Sequence, residues 1–470
     1  MTNNLITGII SKKLLPVFFF VFFACNAFSQ KNLIVHLIPV IPQSNYVNPA
    51  FKPEPKIYVG FPCLSSIYFK YANNGFKYKE LYTALSDTLK MTELIDNMNN
   101  TNYLSLAFKE EILTFGFKVK KNFFSFNITE NMDFRFDFPK DLLSFAWKGN
   151  GHFVGRTADF SGIGLDVTSY TEYALGYTRD IGDKFVVGGR FKYLMGQMNV
   201  STMRNTMKIK IDEIDYKHTI QSDFLINCAL PEDFYNDLDT NENNDDSTDF
   251  DIKKFILNSQ NSGFGFDLGG YFKCNDMFSF GASVIDIGRI NWKSGARNFS
   301  SSAVDFVFEG IDINQFFNQD DSLANDNINN LLDSLKNVFK IEKTENSYKT
   351  SLTPKIYLTG IYSLTPHDKV GVLIGNETFN RRIHPSLTIS YNKKFFNVLS
   401  ASVSYSIMNR SVTNFGAGFA LNMGPFQMYV LADNVYGLIQ PLKTRVFDLN
   451  FGFNLIFAYK EKKGVKTIHN

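Results

Sequence analysis

The stretch Val446 to Tyr459 constrains the fold more than any other segment. Phe447, Leu449, Phe451, Phe453, Leu455, Phe457 and Tyr459 alternate with Asp448, Asn450, Gly452, Asn454, Ile456 and Ala458. Successive side chains of a strand point to opposite faces, so one face here is large and apolar and the other mostly polar or small. A soluble antiparallel sheet shows the same alternation, with one face on a core and the other in water. A strand that crosses a membrane needs about 9 to 11 residues with lipid-facing and lumen-facing positions in turn, and this run is long enough. The pattern recurs along the chain. Leu399, Ala401, Val403, Tyr405 and Ile407 interleave with Ser400, Ser402, Ser404 and Ser406, and Phe185, Val187, Gly189, Phe191 and Tyr193 form another set. Leu113, Phe115, Phe117 and Val119 repeat it, and Phe134, Phe136 and Phe138 bracket the charged Arg135 and Asp137. Periodicity alone leaves a sandwich and a barrel both open.

The amino terminus separates them. Lys12 and Lys13 precede the apolar run Leu14 to Phe23, and Ala27 and Ser29 are the small residues expected before a cut between Ser29 and Gln30. Residues 1–29 therefore read as an export signal. A transmembrane helix wants about 20 apolar residues, and this stretch is interrupted by Pro16, Cys25 and Asn26. Lipoprotein processing before Cys25 is a further alternative, although Phe22-Phe23-Ala24 lacks the usual leucine. Downstream there is no long apolar run, and an exported chain without one can cross a membrane only as a closed barrel. The expected fold is all-β: a transmembrane antiparallel β-barrel of about 14 strands in the outer membrane, surrounded by its lipid.

The barrel is expected over residues 56–459, with helical insertions at 80–98 and 312–343, an acidic loop at 231–261 and a polar tail at 460–470. Leu81, Leu85 and Leu89 set the helical spacing of the first insertion, which is expected to be one helix. Tyr103 to Phe138 is expected to hold three or four strands, and Lys355 to Tyr459 about seven. Residues 30–55 carry Pro39, Pro42, Pro49, Pro53 and Pro55. Each proline removes a donor and fixes the backbone, so this segment is expected to act as a plug or lie in the periplasm, with Asn48, Pro49 and Ala50 as its candidate plug residues.

Composition narrows function mainly by exclusion. Lys and Arg total 48 against 46 acids, and loss of Lys12 and Lys13 with the signal leaves 48 − 2 = 46, a neutral chain without the footprint of a nucleic-acid partner. Cys63, Cys228 and Cys274 are too widely spaced for a metal or disulfide framework. The six histidines show no ligand spacing, and there is no phosphate loop or nucleophile elbow. Asp237, Asp239 and Asn241 start like a calcium loop, but Glu242 stands where glycine is required. No catalytic residue, metal site or cofactor is expected, and the chain does not read as an enzyme.

Several short motifs carry a resemblance: Asn48-Pro49-Ala50, Gly60-Phe61-Pro62, Tyr170-Thr171-Glu172-Tyr173-Ala174, Gly188-Gly189-Arg190-Phe191-Lys192, Asp286-Ile287-Gly288 and Asp433-Asn434. With them the chain resembles a Bacteroidota family of exported barrels of unknown function, which is similar in turn to fatty-acid-transporter barrels, to PorV and to PorP-type barrels. The resemblance implies one of two activities. One is a porter of small hydrophobic molecules; the other is a non-enzymatic component of type IX secretion or surface-protein assembly, with secretion-machinery proteins as partners. A structural envelope barrel is the third reading.

Overall fold

The computed structural model describes residues 33, 35, 40–231, 260–308, 341–379, 382–396, 398–408 and 411–457. The expected cleavage site at Ser29 and Gln30, nearly all of the acidic loop, most of the 312–343 insertion and the tail from 460 lie outside the described residues.

Fourteen antiparallel wall strands close into one barrel. The first, β1, runs in two pieces, Ile57–Gly60 and Ile67–Asn73. It is followed by β2 (Thr101–Val119), β3 (Asn122–Pro139), β4 (Gly164–Ile181) and β5 (Phe185–Asn205). Next come β6 (Asn261–Lys273), β7 (Phe278–Trp292), β8 (Lys355–Ser363), β9 (Asp368–Phe379) and β10 (Arg382–Phe395). The last four are β11 (Leu399–Met408), β12 (Ser411–Met423), β13 (Phe426–Ala432) and β14 (Val446–Phe457). Each strand pairs with the next, and β14 returns to β1 through registers such as Ile57↔Phe457 and Ile67↔Phe451, which removes the sheet's free edge.

The buried side of the wall is the polar one. Along β14, Asp448, Asn450 and Asn454 are buried while Phe453 and Phe457 are exposed, and along β11 all four serines are buried while Val403 is 57% exposed. A sandwich core would bury the aromatic face instead. Rings and aliphatic chains on the outside of a closed barrel define a lipid-facing surface.

The two rims differ. At one, tight turns join the strands, and Lys120, Gly182, Phe396 and Gly424 supply the left-handed backbone angles that such turns need. Ile57 and Phe457 lie at this short-turn end. At the other rim most connections are long, those from β9 to β10 and from β11 to β12 being the two-residue exceptions. The long ones carry helices α1 (Tyr78–Ala84), α2 (Thr88–Asp96), α3 (Lys140–Lys148) and α4 (Val435–Ile439).

Two expectations are corrected. Tyr103 to Phe138 forms two long strands rather than three or four, because the polar stretches around Glu110 and Glu130 face each other as a rung (Glu110↔Glu130) instead of turning. The insertion at 80–98 is two helices rather than one: the Asp87 side chain accepts the N–H groups of Leu89 and Lys90, which starts a new helix there.

Candidate functional site: the occupied lumen

Of the described residues ahead of β1, Leu33, Val35 and residues 40–51 lie inside the barrel. Val35, Val40, Ile41 and Val47 bury themselves against Ala420, Tyr429 and Leu431 of β12 and β13, while Leu33 packs on Ile285, Tyr357 and Leu373. Between these apolar contacts Pro42–Tyr46 forms a single 3₁₀ turn, with Pro42 at its start, where the missing donor costs nothing. A segment that makes no ladder must satisfy its polar groups otherwise. Gln43 Nε2 lies 3.0 Å from the Ser65 carbonyl, 3.1 Å from Glu111 Oε1 and 3.1 Å from Asn454 Oδ1. Asn45 donates to the carbonyls of Pro49 (3.0 Å) and Phe51 (2.9 Å).

Asn48, Pro49 and Ala50 sit directly on bare wall backbone. Asn48 Oδ1 accepts the Ala50 N–H at 2.9 Å, its Nδ2 donates to the Gly270 carbonyl at 3.3 Å, and Thr178 Oγ1 donates to the Pro49 carbonyl at 2.6 Å. The wall glycines permit this approach. A Cβ on Gly188 would stand 2.0 Å from the Pro49 carbonyl oxygen, and one on Gly269 would stand 2.1 Å from Asn48 Oδ1. The segment leaves at the short-turn end, where Lys52 pairs with Asp180, Lys118 donates to the Pro53 carbonyl, and Lys394 lies 2.8 Å from Glu54.

Beneath this segment lies a chain of buried charges. Arg190 meets Glu172 at 3.1 Å and Asp267 at 3.0 Å, and Lys192 meets Glu172, Asp267 and Asp286 at 3.3, 2.9 and 2.6 Å. Lys355 pairs with the other oxygen of Asp286. Three cations thus face three carboxylates, each charge compensated from neighbouring strands of the β4–β8 sector. Asp286 reaches inward because the β6–β7 register shifts beside it. It adopts a left-handed φ of 60°, and its N–H donates to Asp267 Oδ1 at 2.8 Å. The Arg190 guanidinium stacks over the Tyr46 ring at 4.5 Å and so joins the wall charges to the N-terminal segment. Among these groups lies a cavity of about 90 Å³, bordered by Glu111, Glu172, Arg190, Lys192, Asp286 and Lys355 among others.

The wall beside the segment is interrupted. Gly60 pairs with Asn454 and Ile67 with Phe451, so six residues of β1, Phe61 to Ser66, stand opposite only Gly452 and Phe453 of β14. The extra chain bulges outward, with Pro62, Cys63 and Leu64 exposed and Ser65 fully buried. Backbone bonds from Phe61 to Phe453 (3.1 Å) and from Phe453 to Leu64 (2.9 Å) close its edges, and Gln43 closes it from inside through the Ser65 carbonyl.

The sequence motifs around Glu172, Arg190, Lys192 and Asp286 thus meet in one network, although they lie on β4, β5 and β7. Their signal was charge in the middle of strands. Asp267 and Glu111 carry the same mark outside those motifs, while Lys355 stands at the start of its strand. Among the described residues no cluster of His, Cys, Asp and Glu has the makings of a metal site.

These features define a transmembrane β-barrel whose lumen is filled by its own amino-terminal segment. The chain belongs to the family of unknown function DUF5723, whose model matches residues 49–433. No curated protein matches the sequence. Among solved structures it is similar to a Pseudomonas aeruginosa FadL homologue, with 9% identity and TM-score 0.43 over 93% of this chain and 100% of that one. It is also similar to the Ralstonia pickettii toluene transporter TbuX, with 9% identity and TM-score 0.41 over 89% and 94% of the two chains. For the P. putida toluene transporter TodX the values are 8% and 0.39, over 88% and 93%. At these identities and scores the likeness stops at barrel architecture.

Proposed function

We propose that this protein is a gated outer-membrane porter for a small hydrophobic molecule, with the N-terminal segment as its gate and the β1 interruption as the lateral passage between lumen and lipid. The observation that carries this reading is the contact between the two: the Gln43 side chain of the segment bonds the buried Ser65 carbonyl of the interruption. The axis is a poor route for apolar cargo, because the cavity there is small and lined by charge. Leu64, 45% exposed, and Pro62 instead give the bulge an apolar outer lip. Moving the segment would break the Gln43 bonds to Ser65, Glu111 and Asn454 together and leave the inner side of the bulge held by the wall bonds from Tyr429 Oη to the Ser65 carbonyl (3.1 Å) and from Ser65 Oγ to the Glu111 carbonyl (3.2 Å).

The test is a disulfide lock. Gln43→Cys with Ser65→Cys, in a Cys63→Ser background, is expected to abolish uptake of a labelled long-chain fatty acid or monoaromatic into cells carrying the protein, and reductant is expected to restore it. Uptake no greater than in cells without the protein, whether locked or reduced, sinks the reading.

A second reading, docking of a partner in surface assembly, is favoured by α1 and the start of α2, where Tyr82, Leu85 and Leu89 are 70%, 66% and 82% exposed. Charged substitutions at these three positions that left uptake intact but released a defined surface protein would support it.

A further inference from the structure

The outer wall carries a pit that the N-terminal segment does not explain. On one rung across four strands, Val187 of β5, Gly270 of β6, Ala282 of β7 and Leu358 of β8 are successive partners, a large–small–small–large profile. One neighbouring rung is low at Gly189 of β5 and then raises a fence of Leu268, Val284 and Ile356; the other raises Phe185, Phe272 and Phe280, and then drops at Gly360. The enclosed space is an apolar groove of about 480 Å³. Its rim residues Val187, Leu268, Ile356 and Leu358 are all exposed on the lipid-facing side.

The inward glycines of this sector, Gly188 and Gly269, are bare because Asn48 and Pro49 press on them. Gly270 points the other way, and a Cβ there would meet nothing within 4 Å. The N-terminal segment therefore does not require a small residue at Gly270. A lipid-facing position is ordinarily filled by a large apolar side chain, as it is at Leu268 and Phe272 on the same strand. The pit lies a few residues from the short turns. Stacked pairs Phe185–Phe272 (4.5 Å between centroids) and Phe278–Tyr362 (4.8 Å) mark the membrane interface there. Short turns face the periplasm in barrels of this type, so the medium that fills the pit is the periplasmic leaflet.

We propose that this pit binds a segment of one phospholipid acyl chain from the periplasmic leaflet, which passes the aromatic fence at the Gly360 gap. Apolar surface and the absence of polar partners select a hydrocarbon, and the fences on two sides hold one chain in place, whereas annular lipid exchanges along a smooth wall. The site is independent of any cargo passing β1.

The test is native mass spectrometry of the full-length mature protein, reconstituted in palmitoyl-oleoyl phosphatidylethanolamine and extracted into mild detergent. The wild type is expected to retain a single phospholipid. Gly270→Leu with Ala282→Leu fills the pit from the lipid side and is expected to lower retention roughly tenfold, while Ala401→Leu, added bulk on an unpitted strand, leaves it unchanged. Heat-modifiable migration confirms that each variant is folded. Equal retention by the filled variant overturns the proposal, as does displacement of the phospholipid by free palmitate when both are offered.

Discussion

Arg190 concentrates the chemistry of the lumen in one side chain: it bonds Glu172, Asp267 and Asn127 and stacks on Tyr46. Removing one member of a buried charge cluster leaves its partners uncompensated, which typically costs about 3–5 kcal/mol. Arg190→Met is therefore expected to lower the temperature at which the compact band unfolds on semi-native gels. Arg190→Lys should fall between, because one ammonium cannot span both carboxylates, Asn127 and the ring. A variant as heat-resistant as the wild type would show that Lys192 alone balances the site. A different residue sets the pH response outside the membrane. Asp87 holds its carboxyl below the usual range because the Lys90 N–H, and then that of Leu89, donates to it. A depressed folded value means that this contribution to α2 is complete above the ordinary aspartate range and is lost as the pH falls through the lower folded value. Hydrogen exchange at Leu89 and Lys90 should accelerate in strong acid, and Asp87→Ala should show the fast exchange already at neutral pH.

At the scale of elements, alternation made the wall legible. The seven strands expected from Lys355 to Tyr459 are present as β8 to β14, because each run carries a complete inside–outside pattern. The break in β1 was not legible. Lys56 to Ala72 reads from sequence as a strand or strand pair, and only its pairing with β14 shows a bulge within one wall strand. The split at Asp87 was missed because leucines at helical spacing run through it, while the cap depends on a side chain reaching back to the backbone. The role of the inward glycines was equally hidden, since a glycine in a strand looks the same whichever face it opens. A paired substitution separates them. Gly188→Ala forces a Cβ onto Pro49, and overpacking of this kind costs about 1–3 kcal/mol. It is expected to lower thermal stability and to expose the peptide bond after Tyr46 to chymotrypsin, whereas Gly270→Ala, facing open space, should do neither. Equal chymotrypsin sensitivity in the two variants would mean that Asn48 and Pro49 do not hold the segment.

For the whole molecule, the question is what closes the lumen. The wall contributes charges that compensate one another across β4 to β8. The N-terminal segment contributes the apolar contacts of Val35, Val40, Ile41 and Val47 and the polar ties of Gln43, Asn45 and Asn48. Alternation in the sequence specified that the lumen would be polar, but a proline-rich stretch without a ladder could equally have stayed outside. Its place is decided by long-range contacts that no local pattern encodes, such as the bond from the Leu33 N–H to Asp433. Removing residues 30–51 from the mature chain separates the two contributions. The charge network keeps its wall partners in that variant, and Arg190 loses only the Tyr46 ring, so the barrel should still fold and migrate as a heat-modifiable band. In planar bilayers the intact protein is expected to be electrically silent and the shortened one to show stepwise ionic conductance, because a polar lumen freed of its segment fills with water. Silence from a folded, shortened barrel would instead assign closure to the wall, with Arg190, Lys192 and Lys355 cross-linking β4 to β8 as the barrier.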